Sequence, residues 1–210
     1  MQCSLRLKKE LERFRTQPVS GISCWPTDNI YQLKASVMGP DGTPYENGVF
    51  YIDIQIPDKY PFIPPNVRFV TPIYHPNVDD SGRICLPTLK SAPQGAWKPN
   101  MNLASILVDI QLLMAEPNFN DPLRSEISQE YQTSRESYIK HARECTVKHA
   151  LQSSNELPGI AVSDSCKQLS SSVKHAAEDG GLILFEQKVP FFILCLDSFL
   201  EMGTKENNIP

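Results

Sequence analysis

The chain has 210 residues, 40% of them hydrophobic and 21% charged, with a net charge of −4. That describes a globular chain able to bury a core, and it excludes collagen-like and disulfide-dense classes, since only 10 residues are Gly and six are Cys with no C-x-x-C pair. No apolar run approaches the ~20 residues of a membrane span, and the charged start MQCSLRLKKELERF has no apolar signal-peptide core, so neither a membrane nor a secretory role is expected. The cysteines are expected to be reduced, in cytosol or nucleus.

Charge and proline divide the chain. Residues 1–150 hold 16 Lys+Arg and 16 Asp+Glu, whereas 151–210 hold 4 and 8. Of 18 prolines, 15 lie in the first 150 residues. These shifts place a boundary near Ala150–Leu151. A neutral body without a basic stripe argues against direct nucleic-acid binding.

In chain order, Leu7, Leu11 and Phe14 fall at i, i+4 and i+7, which predicts an amphipathic helix ended by Pro18. Arg6, Lys9, Glu10 and Arg13 are assigned to its other faces. Strands follow over Tyr31–Val37, Phe50–Ile56 and Asn66–Val70, joined by Gly39-Pro40-Asp41-Gly42 and by the proline loop Tyr60-Pro61-Phe62-Ile63-Pro64-Pro65. Short connections imply an antiparallel meander. Tyr60–Pro61 is a candidate cis bond. Thr71 to Met101 shows neither helical nor strand period; a loop this long is usually functional. Asn102 is expected to cap a buried helix through Met114. Asp121-Pro122 is read as the start of a short helix, and Thr133-x-x-Glu136 as a capping box for a last helix through His149. The class is α+β.

Cys85, in the irregular loop, is the candidate nucleophile; a free thiol titrates near ~8.5 and its thiolate is reactive. Flanking Arg83 and Lys90 are expected to favour the anion. The rival reading is a small buried hydrophobe. Cys145, at helical spacing from Tyr138 and Ala142, reads as core filling. His75, ten residues before Cys85, is either a base or a ring that holds the loop together, the second being favoured. Asn77 is either an oxyanion donor or a turn residue.

The motifs Tyr60-Pro61-Phe62-Ile63-Pro64-Pro65, Ile73-Tyr74-His75-Pro76-Asn77-Val78, Gly82-Arg83-Ile84-Cys85-Leu86, Trp97-Lys98-Pro99, Glu116-Pro117-Asn118 and Asn120-Asp121-Pro122-Leu123 together resemble the ubiquitin-conjugating enzyme family over residues 3–150. Gly95-Ala96-Trp97-Lys98-Pro99, Ile110-Gln111-Leu112-Leu113-Met114 and Gly21-Ile22-Ser23-Cys24-Trp25 resemble its T-type branch, which serves the Fanconi anaemia pathway.

The resemblance implies an N-terminal helix, a β-meander, a long active-site loop and C-terminal helices. It implies a ubiquitin thioester on Cys85, received from an activating enzyme and surrendered to a lysine amine of a substrate protein, with no cofactor or metal. Asn77 would stabilise the oxyanion or brace the loop. Asp121 would orient the lysine or lower its pKa; its alternative role is a helix cap. Trp97 would anchor packing. Phe62, with Lys98, Pro99 and Asn100, would contact a RING ligase, and Arg6 and Lys9 would bind activating enzyme and ligase in turn. The branch implies the Fanconi anaemia RING protein as ligase and a nuclear and cytoplasmic location. Family members commonly carry Asp two residues after the cysteine, where this chain has Pro87; weak intrinsic lysine discharge is the expected consequence.

Two alternatives remain: a non-catalytic variant that only binds ubiquitin or a ligase, and conjugation of another ubiquitin-like modifier. Residues 151–210, acidic and with eight Ser, are expected to be a largely disordered tail.

Overall fold

The computed structural model describes residues 2–151. The expectation for the tail lies outside the described residues. Helix α1 (Gln2–Thr16) opens the fold. Leu7 on its inner face is fully buried, and Leu11 and Phe14 pack beside it. Pro18 follows two residues after the helix ends, where it cannot continue the ladder.

Four strands form one antiparallel sheet in chain order: β1 (Ile22–Pro26), β2 (Gln32–Met38), β3 (Val49–Gln55) and β4 (Asn66–Phe69). The register sets Ala35 opposite Ile52 and Ile52 opposite Phe69, while Leu33 faces Ile54 and Ile54 faces Val67. Each row lies on one face, so the alternation seen in the sequence becomes a continuous apolar layer. Strand β1 is an addition to the three expected strands. It is an edge strand that ends in Pro26, and after the buried Ile22 its residues are half-buried or exposed without alternation.

Helix α2 (Leu103–Ala115) buries Leu103, Ile106, Leu107, Ile110, Leu113 and Met114. Its cap is as expected. Asn102 Oδ1 accepts from Ser105 N–H, and Ser105 Oγ accepts in return from Asn102 N–H, a box that stabilises a helix start by ~1 kcal/mol.

Two expectations about the last helices are corrected. Helix α3 begins at Ser125, not at Asp121-Pro122, and Arg124 is its cap residue. Thr133 does not cap the final helix; it is the last residue of α3 (Ser125–Thr133), and its hydroxyl donates to Gln129 O. The chain bends at Ser134, and α4 runs Arg135–His149. Cys145 on α4 is half-buried at the rim of the core, with its thiol 3.7 Å from Pro72 O, while Tyr138 and Ala142 are fully packed.

Candidate active site

Between β4 and α2 the chain is irregular apart from one short 3-10 turn, Pro87–Leu89. Its path is fixed by a few backbone contacts. Phe69 N–H donates to Gly82 O, and Gly82 adopts φ 77°. A Cβ there would meet Phe69 O at 2.0 Å, so glycine alone permits this approach. Beyond it, Arg83 pairs with Arg68 and Ile84 with Val78. Ile84 and Leu86 are buried on either side of Cys85. Cys85 N–H donates to Asn77 O at 2.9 Å, which ties the cysteine to the turn that carries Asn77.

The floor of the site is two fully buried polar side chains. His75 Nδ1 accepts from Asn77 N–H at 3.0 Å, so its proton sits on Nε2, which donates to Leu113 O at 2.9 Å. Burial pushes the ring's pKa down to about 4, partly opposed by the Leu113 contact. A neutral ring with both nitrogens engaged is a strut, not a base, and of the two readings of His75 the geometry supports the structural one. Asn77 Nδ2 donates to Asn118 O at 2.7 Å and to Asp121 O at 3.2 Å, and its Oδ1 accepts from Asn118 N–H at 2.9 Å. Its amide therefore fastens the segment 118–121 against the cysteine loop. Leu123 and Arg124 N–H add to this by donating to Pro76 O.

That fastening is what delivers Asp121. Rather than capping a helix, its carboxylate stands over the cysteine: Cys85 S–H donates to Asp121 Oδ2 at 2.9 Å. The Lys90 ammonium donates to the same oxygen at 3.0 Å and to Cys85 Sγ at 3.3 Å. Cys85 is only 4% exposed, yet the Lys90 and Asp121 side chains above it are 41% and 62% exposed. Two exposed side chains thus lie against the sulfur.

The electrostatics correct an expectation. The Cys85 pKa is raised, first by desolvation and then by the hydrogen bond to Asp121; Lys90 offsets this only in part. Arg83 does not help, because its guanidinium is paired with Asp79 at 2.9 Å. Asp121 is held below its ordinary value by the bonds from Cys85 and Lys90, and Lys90 is held above its own by Asp121 and Cys85. The closed arrangement keeps the proton on sulfur. Turning Asp121 away would leave the ammonium beside the thiol and favour the anion.

Pro87 sits at the exposed rim and offers its carbonyl, which accepts from Lys90 and Ala96 N–H. Trp97 is buried and donates from Nε1 to Pro61 O at 2.8 Å, anchoring the proline loop as expected. The Tyr60–Pro61 bond is cis. Phe62, just beyond, is 72% exposed, and Lys98, Pro99, Asn100 and Lys9 are exposed too. Arg6 is half-buried: its guanidinium is spent on Glu10 and on the carbonyls of Pro99 and Met101. Glu10, assigned above to an outer face, is buried. The signal was its position three residues after Leu7, on the apolar stripe.

Residues 6–146 match the ubiquitin-conjugating enzyme family model. Ubiquitin-conjugating enzyme E2 T of Homo sapiens is 51% identical over 153 residues, covering 72% of this chain and 78% of that protein. The Mus musculus protein of the same name is 52% identical, covering 72% and 75%. Ubiquitin-conjugating enzyme E2 13 of Schizosaccharomyces pombe is 43% identical, covering 70% and 97%. A helix, a four-stranded meander, an irregular cysteine loop and three further helices agree with that match, and the chain belongs to the ubiquitin-conjugating enzymes, which work with ubiquitin, an activating enzyme and ligases.

Proposed function

We propose that this enzyme carries ubiquitin on Cys85. Cys85 gives up its S–H proton to water, its thiolate attacks the carbonyl carbon of the ubiquitin thioester on the activating enzyme, and that enzyme's thiolate leaves. A substrate lysine, as the free amine, then attacks the new thioester. The tetrahedral oxyanion collapses, the Cys85 thiolate leaves, and the amine's surplus proton passes to Asp121 or water. The observation that carries this reading is the Cys85–Asp121–Lys90 triangle above a braced floor. An ammonium already sits 3.0 Å from Asp121, which supports Asp121 as the group that receives a substrate lysine once Lys90 swings out. Asn77 acts first as a brace. It can serve an oxyanion only by releasing its longer bond, the 3.2 Å contact to Asp121 O.

The docking surface is assigned to Phe62, Lys98, Pro99 and Asn100 for a RING ligase, with Lys9 and the Arg6 end of α1 shared with the activating enzyme. An exposed Phe on a proline-stiffened loop is an anchor that loses little entropy on binding. The finer reading is the T-type role: single-ubiquitin transfer in Fanconi anaemia DNA repair, with the Fanconi anaemia RING protein as ligase, in nucleus and cytoplasm. Its support is the name shared by the human and mouse relatives and their identity of about half. The test is discharge of the charged enzyme in the presence of a panel of RING domains. Selective acceleration by the Fanconi RING supports the pathway. Equal acceleration by all, or none by that RING, contradicts it.

A further inference from the structure

The docking surface is made of three separate pieces of chain: the outer side of α1, the proline loop and the segment Lys98–Met101. None of them is joined to another by sheet pairing. One side chain of α1, Glu10, bonds to Tyr60 at the head of the proline loop and to Leu103, two residues past the Lys98–Met101 segment. Glu10 Oε1 accepts from Arg6 Nε at 2.7 Å and from the Tyr60 hydroxyl at 2.9 Å. Glu10 Oε2 accepts from the same hydroxyl at 3.0 Å and from Leu103 N–H at 2.8 Å. Tyr60 is the residue before Pro61, so it places the loop that carries Phe62. Leu103 is the first residue of α2, two residues after the Lys98–Met101 segment. Arg6, steadied by Glu10, in turn donates to Pro99 O at 2.6 Å and to Met101 O. Its guanidinium also lies 5.3 Å from the centre of the Tyr60 ring.

We infer that Glu10 is a positioning residue for the partner-docking surface: one buried carboxylate that sets α1, the proline loop and the Lys98–Met101 segment in their mutual places. The inference rests on the docking surface proposed above. Burial gives it a clean consequence. Glu10 is 7% exposed, so an activating enzyme or ligase reaches it poorly, and any effect of Glu10 on partner affinity passes through the placement of Phe62 and Lys98–Asn100. A further consequence is that Arg6 divides its donors between the protein's own carbonyls and any acidic partner. Lys9, one turn further along α1, is exposed to a partner's carboxylate.

The test measures ubiquitin transfer from the activating enzyme to the full chain as a function of this protein's concentration, for the wild type, Glu10→Gln and Tyr60→Phe. A Gln amide keeps one oxygen acceptor but sets an NH2 group against either Arg6 Nε or Leu103 N–H and removes the charge that pairs with Arg6; Tyr60→Phe removes only the hydroxyl. Expected is a KM raised about tenfold for Glu10→Gln and less for Tyr60→Phe, with kcat within about twofold of wild type. Affinity for the RING ligase should fall in the same order. If Glu10→Gln does not fold, Tyr60→Phe carries the test. A wild type that never accepts ubiquitin would remove the underlying functional reading. A wild type that does, with folded variants whose KM is unchanged or whose losses fall on kcat alone, would overturn the role of Glu10.

Discussion

The floor and the cover of the active site are built in opposite ways. His75 and Asn77 are fully buried, and the polar atoms of both side chains have backbone partners. Lys90 and Asp121 are exposed and bond to each other and to the sulfur between them. The floor fixes where the cysteine lies; in the reading proposed above, the cover governs when it reacts, because a carboxylate that keeps the thiol protonated must turn away to release it. Substitutions in the floor should therefore change folding and activity together, and substitutions in the cover should change activity alone.

Asn77→Ala breaks that contrast hardest. It orphans Asn118 N–H and frees the 118–121 segment. Stability should fall by about 2–3 kcal/mol, and both charging and discharge by more than about tenfold. Denaturant midpoints measured beside the two rates check this. Activity lost at unchanged stability would assign Asn77 to the oxyanion rather than to the brace.

His75 gives the floor a pH dependence. Its folded pKa, about 4, lies below its ordinary value of 6.5. Between those values the unfolded chain binds more protons. The contribution of the neutral ring is fully present above pH 6.5, is lost as pH falls toward 4 and is constant below. The full loss is on the order of 3 kcal/mol. Urea midpoints across this window should fall with pH, and His75→Phe, though less stable throughout, should flatten the slope in it. An unchanged slope would place the acid sensitivity elsewhere.

For the cover, Asp121→Ala should move two rates in opposite directions. Removing the carboxylate that raises the thiol pKa makes Cys85 alkylation by iodoacetamide faster at neutral pH. Removing the group that receives the incoming lysine makes aminolysis about tenfold slower. The unfolding midpoint should not move. Parallel slowing of both rates would mean that Asp121 belongs to the floor. The smallest effect is expected at Pro87→Asp, which restores a carboxylate at the rim. Discharge to free lysine should rise about threefold, within the range of one exposed charge. Equal rates would remove the idea that this position limits intrinsic reactivity.

The sequence was informative where periodicity or cap chemistry is local. The Leu7 stripe, the alternation of β2 and β3 and the Asn102 cap all read correctly, because each depends on residues close together in the chain. The region from Thr71 to Met101 is irregular as read, apart from the short turn at Pro87–Leu89. The errors have a common physical origin. Asp121 and Thr133 carry helix-start chemistry, but long-range bonds from Asn77 and Pro76 hold 118–124 out of a helix, and α3 absorbs Thr133. Glu10 read as solvated because a charge on an apolar stripe is ordinarily a surface feature; the donors that bury it come from Tyr60 and Leu103, far along the chain. The thiol's raised pKa was hidden for the same reason. Lys90 is five residues from Cys85 and visible, whereas Asp121 is 36 residues away. Of the site, Cys85, His75 and Asn77 were legible from their motifs; the triangle that covers the sulfur exists only in three dimensions.

The most direct test of Cys85 as the carrier is to incubate the protein with activating enzyme, ATP and ubiquitin and to resolve the products with and without reducing agent. The wild type should give one ubiquitin adduct that thiol removes, Cys85→Ser an adduct that resists thiol, and Cys85→Ala neither. A thiol-labile adduct persisting in Cys85→Ala, or no adduct on the wild type, would contradict the assignment.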